Sequence, residues 1–241
     1  TGTVYGTGGL LSGASGSDLV GIGAACPVYG CTDSTANNYD PLADTDDGSC
    51  IYPLPCNGDS FCDDFESGGF TAGNWLASAG SQAAVAVTMT NPNGTMSAEF
   101  QGGSFTGWSG GSSTTTSAQA WANTSHLSSA FMCVDLSAYT STDYVSMTLD
   151  YNSLSYFGNG AYSWFRVSVD GTVLADINGN LDHYLPGLLN LEYDLSAYNG
   201  NSSVTVTLEA ACKYDVNYSS GIYADFVWAD NINTVSYTHL T

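Results

Sequence analysis

Positive charge is almost missing from this chain. Its 241 residues include 23 Asp and Glu but only two Lys and Arg, Arg166 and Lys213, for a formal net charge of −21. Two bases can pair with only two carboxylates. The others repel one another, disperse into water, or meet bound cations. Nucleic acid and anionic membrane surfaces recruit Lys and Arg, so both are excluded as partners. Helical periodicity is also lacking, and only four of the acids are glutamates, Glu66, Glu99, Glu192 and Glu209. No apolar run approaches the roughly 18 residues a membrane-spanning helix needs, so membrane insertion is not expected.

What is present is Gly, Ser, Thr, Asn and Tyr, with enough apolar residues for a core. Alternating segments occur at 83–90, 128–136, 144–151, 163–171, 188–195, 203–212 and 223–235. Period-two segments separated by Gly, Asn and Asp turns predict an all-β fold, a jelly-roll β-sandwich. An internal echo supports two sheets: "VDLSAYTSTDYVSMTLDY" (134–151) resembles "YDLSAYNGNSSVTVTLEA" (193–210), each a strand, a D-L-S-A-Y corner and a second strand.

Ahead of the sandwich lies a different kind of sequence. Residues 1–24 are Gly- and Ser-rich and read as a linker, or as an extended segment donated to a neighbouring subunit's sheet. Residues 25–55 hold "GCTDSTANNYDPLADTDDGSC" (30–50), in which two cysteines fence five aspartates. An EF-hand register fails there. Placing Gly48 at loop position 6 puts Asp47 at 5, but Thr45 at 3, Ala43 at 1 and Leu54 at 12. Asp33, Asn38, Asp40, Asp44, Asp46 and Asp47 still offer hard oxygen ligands suited to calcium. The alternative is that they form turns through side-chain-to-backbone bonds. A Cys31–Cys50 bridge would gather them, stabilising the loop by roughly 3 kcal/mol through the unfolded chain.

The seven cysteines (26, 31, 50, 56, 62, 133, 212) point to disulfides and an oxidising, extracellular compartment. Cys56 and Cys62 are spaced to bridge a short loop. Cys133 and Cys212 either pair across the sandwich or sit as buried thiols, and Cys26 is the natural orphan. The chain starts with Thr and shows no signal peptide, as expected of a mature chain or an internal fragment.

Two resemblances follow from the motifs. The 30–50 stretch resembles a short acidic cysteine repeat of secreted bacterial adhesins and some marine viral proteins, with Ser34 where that repeat usually has Pro. The run "FCDDFESGGFTAGNW" (61–75), the two D-L-S-A-Y corners and "YADFVWADNINTV" (223–235) resemble the MAM-like or carbohydrate-module-like jelly rolls of large secreted surface proteins, over about residues 61–235 of a sandwich expected to span 56–235. That second resemblance implies a structural calcium held by Asp64, Glu66 and Asp230, where the opening and closing strands would meet. The terminal "VSYTHLT" resembles translated adapter read-through, so residues 236–241 are set apart as a non-native tail, an ordinary frayed end being the alternative.

Catalytic signals do not assemble. "GWSGG" places Ser109 in a G-x-S-x-G frame, but within a Gly/Ser/Thr loop and not on a strand-to-helix elbow. His126 and His183 are isolated. Trp108, Trp121, Tyr156, Phe157, Tyr162 and Tyr184 instead fall in or beside polar loops, where aromatic rings either pack locally or stack on sugar faces. Trp75, Trp164 and Trp228 lie on apolar strand faces and read as core. The expectation is a non-enzymatic, extracellular, calcium-stabilised module that binds a glycan or cell-surface ligand. The rival is a filament or surface-layer subunit assembled from copies of itself.

Overall fold

The computed structural model describes residues 27–34, 36, 39–50, 56–58, 61–71, 73–89, 95–102, 116–122, 124–154, 163–213 and 225–237. The chain divides into two compact units, Thr1–Pro53 and Leu54–Thr241. In the first, β1 (Tyr29–Gly30) and β2 (Thr45–Asp46) pair in parallel, and Cys31 is bridged to Cys50.

The second unit is built from β3 (Cys56–Asn57), β4 (Cys62–Asp63), β5 (Leu76–Ala79), β6 (Ala83–Thr88), β7 (Ser97–Gly102), β8 (Leu127–Val134), β9 (Tyr144–Leu154), β10 (Ser163–Val169), β11 (Thr172–Leu174), β12 (Leu189–Asp194), β13 (Val204–Cys212) and β14 (Phe226–Tyr237), with one short helix, α1 (Ser117–Ala122). One sheet runs β11-β10-β13-β8-β3, with β5 also paired to β8. The other runs β12-β9-β14-β7-β6, with β4 also paired to β14. The result is an all-β jelly-roll sandwich.

Alternation along each strand decides the layering. On one sheet Met132, Phe165, Val167 and Leu208 point inward; on the other Met147, Leu149, Tyr193 and Val227 do, and all are fully buried in one core cluster. Burying each such side chain contributes about 1.5–3 kcal/mol. The two D-L-S-A-Y corners adopt the same turn. Asp135 accepts from the Ser137 N–H at 2.9 Å, Asp194 accepts from the Ser196 N–H at 2.8 Å, and Leu136 and Leu195 are each fully buried. The Asp170–Gly171 tip of the β10–β11 hairpin has φ of 47° and 77°, the paired left-handed geometry that suits a two-residue turn.

Several features differ from the sequence expectation. β7 was not among the alternating segments, since both of its faces are covered and its pattern is broken by Glu99. Helix α1 lies where no helical pattern stands out, because six residues are too few to show one. Asp64 and Glu66 do not lie on the opening strand: β4 ends at Asp63, Phe65 turns left-handed at φ 56°, and Glu66 falls in the following turn. Ser236 and Tyr237, set apart as tail, continue β14 opposite Val145 and Tyr144.

Candidate functional site

The segment between β11 and β12 turns twice before it reaches β12. Asp176 fixes the first turn, its Oδ1 accepting from the N–H groups of Asn178 (2.9 Å) and Asn180 (2.8 Å). Burial works to raise the Asp176 carboxyl, but the donors from Asn180 and Asn178 outweigh it and hold it below the usual range. His183 then pairs with Phe165 on the free edge of β10 through two backbone hydrogen bonds of 2.8 Å. That pairing sorts the neighbours by face. The His183 ring turns inward against Tyr151, with centroids 5.8 Å apart. Asp182 and Tyr184 turn outward.

On the outer face Tyr184 lies against Trp164, with ring centroids 4.5 Å apart. Ala120 of α1 packs with Trp164 and Ala211, which brings Trp121 alongside. The Trp121 Nε1–H donates to Asp182 Oδ1 at 2.9 Å, and the Ser117 hydroxyl donates to Asp182 Oδ2. Arg166 sits 4.0 Å above the Trp121 ring and donates to Glu209 at 2.9 and 3.4 Å. A pocket of about 260 Å³ opens here, lined by Asn180, Asp182, His183, Tyr184, Leu185 and Leu189. Ile177, Leu181, Leu185, Leu188 and Leu189 on the same segment are all exposed. The Nε2 of His183 has no hydrogen-bond partner and lies 3.8 Å from Asp176 Oδ2. Burial pushes the His183 pKa down, against the pull of Asp176 and Asp182. Burial likewise pushes the Tyr193 phenol up, and its hydroxyl has no hydrogen-bond partner either.

Of the aromatics singled out in the sequence, Trp121 and Tyr184 are brought to this one site. Trp108, Tyr156, Phe157 and Tyr162 lie outside the described residues, as does Ser109. Asp182 carries no pattern as one acid in an acid-rich chain, and His183 is set aside as an isolated histidine. Trp75 is core. Trp164 and Trp228 are buried on outer sheet faces, Trp228 donating to Glu99 at 2.8 Å.

The carboxylates of the implied calcium set divide. Asp230 is only 4% exposed; it accepts from the Thr95 hydroxyl (2.9 Å) and the Asn231 N–H (2.8 Å). Burial pushes its carboxyl up, with Asp150 and Glu66 close enough to add to the effect. Glu66 accepts from the Met96 N–H at 2.9 Å, on the same segment as Thr95. Asp64 instead accepts from the N–H of Glu66 at 3.2 Å, across its own turn. Asp150 and Glu66 thus add negative charge near Asp230, with no base among these groups. Among the described residues no group of three or more His, Cys, Asp or Glu side chains is already arranged as metal ligands.

In the first unit the aspartates cap turns. Asp40 accepts from the Leu42 N–H, Asp46 from Gly48 and Asp47 from Ser49, at 2.9–3.0 Å. Asp44 reaches farther, to the Val28 N–H at 3.0 Å. The Ser49 side chain and backbone hold the Asp47 carboxyl below its usual range. Asp33 lies in the same loop, its backbone carbonyl accepting from the Ala36 N–H at 3.1 Å; Asn38 is outside the described residues.

The cysteines correct one expectation. Cys62 is a free, exposed thiol, so it does not bridge Cys56. Cys133, whose backbone pairs with that of Cys56, is disulfide-bonded, while Cys212 is a free buried thiol. Closeness in sequence therefore does not make Cys56 and Cys62 a pair. Burial pushes the Cys212 thiol up, which suits inert packing. Cys26 lies outside the described residues.

No protein-family model matches the sequence, and no curated protein matches it. Among solved structures, the chain is similar to the CBM22-1 xylan-binding domain of Xyn10C from Paenibacillus barcinonensis, at 17% identity over 75% of this chain and 96% of that one, with a TM-score of 0.37. It is similar to the K1 cleaved adhesin domain of Lys-gingipain from Porphyromonas gingivalis W83, at 10% identity over 74% and 99%, with a TM-score of 0.40. It is also similar to the family 11 carbohydrate-binding module of a Clostridium thermocellum cellulosomal cellulase, at 14% identity over 78% and 99%, with a TM-score of 0.34. At these scores the likenesses carry no argument about ligand or role, which rests on the chain's own residues.

Proposed function

We propose that the chain is a non-catalytic, extracellular module that binds a glycan at the pocket between β11 and β12. The observation that carries this reading is the lining of that pocket. Asn180 and Asp182 supply hydrogen-bonding groups beside the ring of Tyr184 and the apolar Leu185 and Leu189. Sugars present that same mixture of hydroxyls and C–H faces, and sugar sites combine a stacking ring with a few polar groups. Trp164 under Tyr184, and α1 behind Asp182, hold the site in place on the sheet. The Cys31–Cys50 bridge suits an oxidising compartment.

The proposal includes a calcium ion held by Asp230, Glu66 and Asp150, which would supply the positive charge that this edge lacks. Its role is structural and remote from sugar recognition. Glycan-array binding, followed by titration of the best hit, tests the reading. Binding by the wild type that falls at least about tenfold in Tyr184→Ala, with the melting temperature kept, is the expected outcome. Binding undiminished in Tyr184→Ala overturns the site. A chain that binds no glycan but polymerises with concentration favours the filament reading.

A further inference from the structure

The geometry points to a sugar carrying a free, protonated amino group as the ligand of this pocket, with Asp182 receiving the charge. This rests on the glycan-binding reading and names its ligand class. The half-buried Asp182 carboxylate accepts from two uncharged donors, the Trp121 Nε1–H and the Ser117 hydroxyl. A carboxylate has about four acceptor sites, so two hydrogen bonds leave capacity. No cation pairs with it among the described residues, and the sequence has only two bases to offer. Arg166 is held by Glu209 and the Trp121 ring, and Lys213 is buried at 2% exposure.

A second feature of the same wall is independent of the acid. His183 is only 7% exposed and lines the pocket, with its ring turned inward against Tyr151 and its Nε2 3.8 Å from Asp176 Oδ2. Burial lowers its pKa, so at neutral pH it puts no competing positive charge beside Asp182. An ammonium group brings three donors and the missing charge, while Tyr184, Leu185 and Leu189 receive the ring's C–H face. A uronic or sulfated sugar would bring a second negative charge with no base to answer it.

The test is calorimetric titration of the intact chain with the glucosamine disaccharide and its N-acetylated counterpart, a pair differing in charge on one backbone. A galacturonic acid disaccharide forms the third arm. The amine should bind roughly tenfold tighter than the acetylated form, and the acid should not bind. Asp182→Asn keeps one acceptor oxygen for the Trp121 Nε1–H and offers an NH2 that the Ser117 hydroxyl oxygen can accept from, and should abolish the amine preference. Asp194→Asn, an equal change of net charge at an exposed turn, should leave it intact. Added NaCl should shrink the wild-type preference, a readout independent of any variant. Equal affinity for amine and acetyl forms sinks this inference alone. A preference that survives in Asp182→Asn also overturns it, as bulk attraction to a −21 protein. Failure of all three sugars removes the inference and the glycan reading together.

Discussion

Asp63, and not its neighbour Asp64, is the acid that the fold takes inside. Its Oδ1 accepts from the Phe65 N–H at 2.8 Å, and its Oδ2 accepts from the Trp75 indole at 2.9 Å. Burial pushes the carboxyl up, with the Phe65 and Trp75 bonds opposing. Gly73 makes the arrangement possible. A Cβ there would fall 2.0 Å from Asp63 Oδ2 and 2.5 Å from Trp75 Nε1. Gly73→Ala must therefore break a buried bond to a carboxylate, and we expect a loss of about 2–3 kcal/mol in chemical denaturation. A variant as stable as wild type would show that Asp63 is not pinned there. The "CDDFESG" stretch marks this region clearly, yet nothing in it says which aspartate turns inward. That choice belongs to Trp75 and Gly73, ten and more residues onward. Cys62 illustrates the same limit, since sequence spacing suggested a bridge that strand pairing does not make.

At the scale of elements, β14 carries most of the consequence. Its register against β9 slips between Asp230 and Asn233, where Asn231 adopts φ 48° and donates to Asp150 at 2.9 Å. The slip is a β-bulge, which re-aims side chains, and it sets Asp230 beside Thr95. Because burial raises the Asp230 pKa, the folded chain holds that proton to higher pH than the unfolded chain, whose ordinary value is 3.8. This contribution to stability is complete below that value and is lost as pH rises through the raised folded pKa. Asp230→Asn keeps one acceptor oxygen for the Asn231 N–H, turns an NH2 toward the Thr95 hydroxyl oxygen, and removes the charge. In EDTA at neutral pH it should melt above wild type, and its stability should fall less between acid and neutral pH. Calcium should raise the wild-type melting temperature and leave the variant unmoved, by linkage to the folded state. Equal calcium responses in the two proteins would remove Asp230 from the site. The alternation that marks β8, β9, β10, β12, β13 and β14 was legible because each has one face in the core. The 176–189 segment was not, because its turns and its single pairing to Phe165 follow from contacts that no period encodes. Only Tyr184 stood out there, as an aromatic among polar neighbours.

For the molecule as a whole, charge is the property that sequence alone decides and structure then explains. With −21 in total and only Arg166 and Lys213 to set against it, repulsion between carboxylates works against the folded state at neutral pH. The fold disperses part of that charge by giving aspartates local work at turns, as at Asp40, Asp46, Asp47, Asp135 and Asp194. Such bonds hold a carboxylate without cancelling it. Simple salt should therefore stabilise this protein. Screening acts over about 8 Å at physiological ionic strength and weakens repulsion among many surface acids. The attractions it also weakens include the partly exposed Arg166–Glu209 pair, and such pairs are worth about 0–1 kcal/mol. We expect the melting temperature to climb steadily with NaCl in EDTA. Calcium should act beyond that trend, raising it further at matched ionic strength, where magnesium does less because it demands a tighter octahedral shell. A melting temperature that falls with NaCl would mean that attractive pairs dominate. A calcium effect no larger than that of matched NaCl would mean that the acids at the β14 bulge are balanced by the diffuse ion atmosphere and not by a bound ion.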